Sequence, residues 1–322
     1  MSSQEIEDIC TQFLSAYETR DMETLGRIIS NTESLVALGT HQDLEFHGWD
    51  AFRESLTHQF SATRDTSIRI TGMKCHVCAG ERAACASLTA DYRGKVSGHD
   101  IQLTGLRITF SLEKQEGAWR IIQIHWSAPQ EGSLLNPALA EPQISVTQES
   151  VLAKAPKNPG VCAKPGTHSQ THHPREDVSH ASREAFSVYH AMAQRVSESV
   201  NAGIFDFAKH ILPYTDKDFT EIVAGTSLDL AAVEEGFTDI VKVTAAGGSF
   251  LWAVELVSAR DLTPDTVLLI TTADVTLMYP SGYQESRKYR ISNILQERPP
   301  GTWVFLHQHR TTLEEGPPAD VA

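Results

Sequence analysis

Trp119–Pro129 reads WRIIQIHWSAP, and Trp303–Leu313 reads WVFLHQHRTTL. Each stretch opens on a Trp, runs through apolar residues to a His six places on, and carries a hydroxyl two places beyond. Trp303 follows Trp119 and His309 follows His125 by the same 184 residues. Arg107-Ile108-Thr109 returns as Arg290-Ile291-Ser292, and Thr89-Ala90-Asp91 as Thr272-Ala273-Asp274, both at a step of 183. Gly39-Thr40 returns as Gly225-Thr226 at a step of 186. One match of this kind carries nothing. Several in the same order at almost constant spacing mark a duplicated domain, because the step is far too long for a solenoid repeat.

The chain has 322 residues, which suits two domains of ordinary size. With 41% apolar residues it can fill two cores. A formal net charge of −14 and the absence of a basic cluster argue against a nucleic-acid partner, which needs Lys and Arg gathered on one face. The N-terminal MSSQEIEDICTQF does not pattern as a signal peptide, and no apolar run reaches the ~18 residues of a membrane span. Five scattered cysteines fit reduced thiols in the cytoplasm rather than a disulfide framework.

Read in order, Ile6, Ile9, Phe13, Leu14 and Tyr17 share one stripe of a helix over 5–19. Asp21 caps a second helix through Leu25, Ile28 and Ile29. Ser34–Leu38 is a short strand, and Trp49–Phe60 a third helix. Four extended runs follow at Ser67–Val77, Arg82–Tyr92, Ile101–Leu112 and Ala118–Ser127. Helices followed by a meander make an α+β pattern. The second half repeats it, with helices at Ala185–Val200, Ile204–Leu212 and Leu230–Val241 and a short strand at Phe219–Val223. Its long strands are expected at Phe250–Val257, Val267–Met278, Gln284–Leu295 and Trp303–Thr311. Between the halves, seven prolines from Pro129 to Pro174 sit among Ala, Ser, Gln and His and read as a flexible linker. The expected domains are therefore 1–129 and 181–315, joined by 130–180.

Three helices, a short strand and a curved meander ending in W-x-(apolar)₂-x-x-H-x-[ST] resemble the nuclear transport factor 2-like superfamily. The likeness is carried by Asp21, Gly48-Trp49-Asp50, Arg107 and Trp119–Pro129, and again by Trp303–Thr311 with His307, His309 and Arg310. Within the superfamily the chain is most similar to SnoaL-like domains and to the association (hub) domain of calcium/calmodulin-dependent protein kinase II. The resemblance implies two tandem cone-shaped domains, each with three helices packed on a curved, mostly antiparallel sheet. It implies a pocket at the open end of each cone and pairing through the outer sheet faces. Hub domains place one Arg of the penultimate strand and one at the end of the last strand in the pocket. Arg107 and Arg290 match the first, and Arg310 matches the second, where the N-terminal half has Trp126. A pocket His that hub domains carry on the third helix falls here at Phe52 or Val233.

Strand alternation divides the last strand into Trp119, Ile121, Gln123, His125 and Ser127 on one face, and the more apolar Ile122, Ile124 and Trp126 on the other. The second set is expected inside, which sends His125 and its counterpart His309 outward. Trp119, Ile121, Gln123 and His125 would then meet Trp303, Phe305, His307 and His309, so that the two domains pair with each other or with a second chain. Asp91 and Asp274, next to Arg107 and Arg290 in the meander, admit two readings. One is a catalytic carboxylate that abstracts a proton alpha to a carbonyl, with a Tyr such as Tyr17 or Tyr189 as oxyanion donor. The other is a cross-strand ion pair. Cys75-His76-Val77-Cys78 is half of a zinc site without a second pair, so no metal is expected. No phosphate-binding, dinucleotide or G-x-S-x-G motif occurs, so no cofactor is expected either. The function expected is a small-molecule-binding and dimerisation module suited to an anionic or carbonyl-bearing ligand, with Tyr17, Arg107, Trp126, Arg290 and Arg310 as ligand contacts. The alternative is a cofactor-independent isomerase, cyclase or dehydratase.

Overall fold

The computed structural model describes residues 3–33, 35–40, 44–78, 81–96, 99–128, 178–223 and 226–313. Most of the expected linker, 130–177, lies outside the described residues. The first half runs α1 (Ser3–Thr19), α2 (Met22–Ile28), β1 (Val36–Leu38), β2 (Glu45–His47), α3 (Trp49–Ala62), β3 (Thr63–Val77), β4 (Ala83–Val96), β5 (His99–Gln115) and β6 (Ala118–Ser127). The second half runs α4 (His180–Asn201), α5 (Phe207–His210), a 3-10 turn (Leu212–Tyr214), β7 (Thr215–Val223), β8 (Thr226–Leu228) and α6 (Leu230–Ala245). It ends with β9 (Ser249–Thr263), β10 (Thr266–Met278), β11 (Gln284–Glu297) and β12 (Trp303–Leu313).

The two sheets have one topology, β2-β1-β6-β5-β4-β3 and β8-β7-β12-β11-β10-β9. In each, the short strand lies parallel to the last strand, β1 on β6 and β7 on β12, and the other pairs are antiparallel. The architecture is α+β, with two cones built from equivalent parts. The step of 183–184 is conserved in the register itself. Arg107 pairs across strands with Thr89 and Ser127, and Arg290 pairs with Thr272 and Thr311.

The helices form where their stripes find a sheet to cover. On α1, Ile6, Cys10, Phe13, Leu14 and Tyr17 are buried, and the helix packs on β3 and β4. The Asp21 carboxylate caps α2 by accepting from the Thr24 N–H at 3.0 Å, as the sequence suggests. Ser179 and Asp229 cap α4 and α6 in the same way. The second helix of the second half is shorter than expected. Ile204–Leu212 has apolar spacing, but only Phe207–His210 is α-helical before the 3-10 turn that contains Pro213. Proline at that place removes an N–H that continued helix would need.

Each cone has its own core. Phe13, Leu56, Phe110, Ile121 and Ile124 lie at the centre of the first, and Tyr189, Val196, Leu269, Ile291 and Phe305 at the centre of the second. A third cluster belongs to neither cone. Leu38, Cys78, Ala83, Cys85 and Ile122 meet Leu262, Leu268, Ile270, Ile294, Val304 and Leu306 between the outer sheet faces.

That cluster corrects one expectation about the last strands. The β5–β6 register passes from Ser111↔Gln123 to Leu112↔Ile121, and the β11–β12 register from Ile294↔His307 to Leu295↔Phe305. Ile122 and Leu306 are therefore extra residues, β-bulges at equivalent places. Beyond the bulge, parity is as expected, and His125, Ser127, His307 and His309 face outward. Before it, parity reverses. Trp119, Ile121, Trp303 and Phe305 turn into the cones, and Ile122 turns out into the seam.

Candidate functional site

Two places in the fold gather polar side chains out of water. The first is the seam between the sheets. The rings of His125 and His309 stack there with centroids 3.9 Å apart, as residues on a pseudo-twofold axis do. The contacts around them repeat on both sides. His125 Nδ1 meets Ser292 Oγ at 2.8 Å, and His309 Nδ1 meets Thr109 Oγ1 at 2.8 Å. His125 Nε2 meets Thr311 Oγ1 at 2.7 Å, and His309 Nε2 meets Ser127 Oγ at 2.7 Å. Thr109 also meets His307 Nε2 at 3.1 Å, and His307 Nδ1 meets Thr220 Oγ1 at 2.8 Å. Neutral imidazole has one donor and one acceptor nitrogen, so hydroxyl partners can satisfy both ends of each ring. Burial holds His125 and His309 well below the usual histidine range and pushes His307 down to about 4. At the rim of the seam, Arg260 donates to Glu113 at 2.5 Å.

Arg107 and Arg290 belong to this seam and not to the cones. Leu106 and Ile108, and likewise Tyr289 and Ile291, take the inward positions on their strands, so the arginines between them must face out. Arg290 Nη1 donates to Glu45 Oε2 at 3.3 Å and Nη2 to the Gly39 carbonyl at 3.1 Å, both in the first domain. Arg107 is 2% exposed. Its Nε and Nη1 are buried without a hydrogen-bond partner, and burial lowers its pKa to about 10.

The carboxylates read as catalytic also lie outside the cones. Ala90 and Tyr92 are in the first core and Ala273 and Val275 in the second, which turns Asp91 and Asp274 to the outer faces. Asp91 accepts from Arg69 Nη2 at 2.5 Å and from the Gly105 N–H at 3.1 Å, and these bonds hold its pKa below the ordinary value. Asp274 has a side chain 55% exposed, with Lys288 at 4.0 Å. Neither carboxylate pairs with the Arg expected for it, and neither can reach a ligand inside a cone.

The second polar place is the interior of the C-terminal cone. Arg310 faces inward from β12 and forms an ion pair with Glu221 of β7; their side chains are 5% and 2% exposed. The guanidinium lies 5.7 Å from the centroid of the Tyr289 ring. Beside it, Gln308 Nε2 donates to Asn293 Oδ1 at 2.5 Å, and Asn293 Nδ2 donates to Thr271 Oγ1 at 3.2 Å. The Tyr189 hydroxyl lies next to Thr271 and Gln308 but makes no hydrogen bond of regular geometry, and burial raises its pKa.

The N-terminal cone is different at the matching places. Register puts Ala37 where the second cone has Glu221, and Trp126 where it has Arg310. Trp126 faces inward as expected and packs 5.8 Å from Tyr17 and 6.3 Å from Phe13. Tyr17 meets Phe60 edge-on at 5.2 Å, and burial, with Tyr92 nearby, raises the pKa of its hydroxyl. One cone is thus lined with aromatic rings and the other holds charge. Of the expected ligand contacts, Tyr17, Trp126 and Arg310 face the cones, while Arg107 and Arg290 do not. Glu221, Asn293 and Gln308 were not singled out from the sequence. Gln308 lies in the quoted final stretch, beyond the bulge, on the face that alternation already turns inward with Arg310.

Cys10, Cys75, Cys78 and Cys85 are free thiols, and Cys78 and Cys85 pack in the seam. Among the described residues no group of three or more His, Cys, Asp or Glu is placed to hold a metal ion. Among the same residues no helix is long and apolar enough to cross a membrane.

No curated protein sequence matches the chain. A nuclear transport factor 2-like superfamily protein from Salmonella enterica serovar Typhimurium is similar in structure, at 18% identity and a TM-score of 0.37, over 41% of this chain and 93% of that one. An NTF2-like protein of unknown function from Pseudomonas putida matches at 21% identity and a TM-score of 0.34, over 40% of this chain and 87% of that one. The association domain of CaMKII from C. elegans matches at 18% identity and a TM-score of 0.31, over 39% of this chain and 94% of that one. By sequence, residues 6–131 match the SnoaL-like domain family, and the C-terminal half repeats that domain's strand order.

Proposed function

We propose that the chain is a small-molecule-binding module, a pseudo-dimer in which the N-terminal cone braces a C-terminal cone that takes the ligand. The observation that carries this reading is the ion pair of Arg310 and Glu221 inside the second cone. Taking two charges out of water is costly, and a well-packed apolar pair would serve stability at least as well. At the equivalent places the first cone does use apolar residues, Ala37 and Trp126. The charge, the Tyr189 hydroxyl and the amides of Asn293 and Gln308 suit a ligand that bears a carbonyl or carboxylate. In this reading the intact chain is monomeric in solution, with the first domain in the place that a second subunit would take; pairing between two chains is the competing arrangement.

The test is a thermal-shift screen of the intact chain against small ketones, aldehydes and carboxylates, repeated with Arg310→Met. A compound that raises the midpoint of the native chain and not of the variant supports the second cone as the site. Hits that survive Arg310→Met place binding elsewhere.

One observation favours the enzyme reading as a second possibility. Glu221 and Tyr189 put a carboxylate and a phenol within one apolar-walled interior, the pair that enolisation of a carbonyl compound requires. In that case Glu221, and not Asp91 or Asp274, is the base. Exchange of the alpha protons of a bound ketone into deuterium oxide, lost in Glu221→Gln, would establish it. Binding without exchange would leave the module reading alone.

A further inference from the structure

Every buried histidine among the described residues, His125, His307 and His309, lies in the seam. The two on the pseudo-twofold axis stack at 3.9 Å, and the hydroxyls that bond them come from the opposite domain. Ser292 and Thr311 serve His125, and Thr109 and Ser127 serve His309. A hydroxyl can accept as well as donate, so these partners offer a protonated ring hydrogen bonds but no counter-charge. The charges that act on the stacked pair are positive, from Arg107 of β5, Arg290 of β11 and the neighbouring rings themselves. Glu45 of β2 also enters the seam, but Arg290 holds it. β1 presents Leu38 and β7 presents Thr220. Farther out, Arg260 holds Glu113, and His76 of β3 is subject to the charges of Asp216, Asp218 and Arg298.

From this geometry we infer that the seam is an acid-released joint, in which protonation of His125, His307 and His309 parts the two sheets while each cone stays folded. The inference rests on the pairing of the sheets and not on any ligand of the second cone. Two imidazolium rings stacked out of water, with guanidinium groups beside them, repel strongly because nothing screens them. Parting the sheets lets water solvate all three rings at once. It costs neither cone its core, because the three histidines face outward and the cores hold other residues. Burial holds all three rings below the usual histidine range, His307 at about 4, so the parted sheets take up protons before the paired ones do. Pairing is therefore at full strength above ~6.5 and weakens as the pH falls toward 4, by up to about tenfold per pH unit for each ring. Three rings acting together make the release steep. It uncovers Leu38, Ile122, Leu268 and Leu306, and with them the thiols of Cys78 and Cys85.

The seam carries its own reporters. Cys78 and Cys85 are 2% and 5% exposed within it, whereas Cys10 is 0% exposed in the first core. The intact chain is labelled between pH 7 and pH 5 with a dipyridyl disulfide, whose good leaving group keeps it reactive toward thiols in acid. Modified cysteines are located by peptide mass, and each rate is divided by that of the urea-unfolded chain at the same pH. In the native chain the relative rates of Cys78 and Cys85 should rise reversibly by more than about tenfold as the pH falls through this range, while Cys10 stays protected. In the double variant His125→Gln with His309→Gln the rise should be much shallower. If that variant does not fold, the contrast between the seam thiols and Cys10 in the native chain decides alone. Cys10 opening in step with the seam thiols, rates that do not change with pH, or an equally steep rise in the double variant would overturn the proposal. Seam thiols already open at pH 7 would overturn the pairing itself, and the proposal with it.

Discussion

Glu221 is the residue whose removal should cost the most. It is 2% exposed and bound to Arg310, so Glu221→Gln leaves a cation without a counter-charge inside the second cone. Breaking one side of such a pair destabilises by about 3–5 kcal/mol, whereas an apolar replacement of both partners is often neutral or better. Glu221→Leu with Arg310→Met should therefore recover most of what Glu221→Gln loses, as read by urea denaturation. A double variant no better than the single one would mean that the pair is needed for more than charge balance. The seam histidines give a second prediction at this scale. In the folded chain His307 titrates near 4, against about 6.5 for an unperturbed histidine. Between those values the unfolded chain binds a proton that the folded chain refuses. Stability is then complete above ~6.5 and falls as the pH drops toward 4, at up to about 1.4 kcal/mol per pH unit for each histidine held neutral. Urea midpoints should fall from pH 7 to pH 5, and less steeply in His307→Gln. A flat profile in the native chain would show that these rings are protonated at little cost.

At the scale of the element, the strands were legible and their faces only partly so. Alternation identified β6 and β12 and sent His125 and His309 outward, where they stack. It misplaced Trp119, Ile121, Trp303 and Phe305, because nothing in a run of apolar residues shows that Ile122 or Leu306 is a bulge. The arginines were misplaced for a different reason. Arg107 looked like a pocket residue from its place in the motif, but its neighbours Leu106 and Ile108 both fill the core, and parity leaves it outside. Strands β2 and β8, of three residues each, carry too few side chains for any period to show. Turn chemistry offers a test of one element. The hairpin between β5 and β6 turns through Glu116 at φ 49 and Gly117 at φ 83, the left-handed pair of a tight two-residue turn. A Cβ at Gly117 would meet nothing within 4 Å, so the cost of Gly117→Ala is conformational alone. It should lower stability by about 1–2 kcal/mol without changing ligand binding. A neutral substitution would mean that the turn relaxes to another type.

For the molecule as a whole, the duplication was the clearest signal in the sequence, and the two sheets repeat one strand order. The asymmetry between the cones was less visible. Trp126 against Arg310 could be seen in the aligned motifs, but Ala37 against Glu221 could not, because their equivalence depends on pairing two short strands with the last one. The seam makes a prediction at this scale. Leu38, Ile122, Leu268, Ile294 and Leu306 would be left in water if the halves parted. Chains 1–129 and 178–322 produced separately should therefore associate with each other or with themselves in sedimentation, while the intact chain stays monomeric. Halves that remain apart and soluble would contradict the pseudo-dimer.

The stacked pair His125 and His309 has one more consequence. In a symmetric pair of identical subunits, every substitution appears on both sides of the axis, and a residue that meets its own copy must tolerate itself. A chain that encodes both sides separately is free of that rule. It can keep aromatic rings in one cone and an ion pair in the other without a compromise between them. The central histidines are where this freedom is smallest. Each ring is the wall of the other, so a change in one half redefines the surroundings of the same position in the other half, 184 residues away.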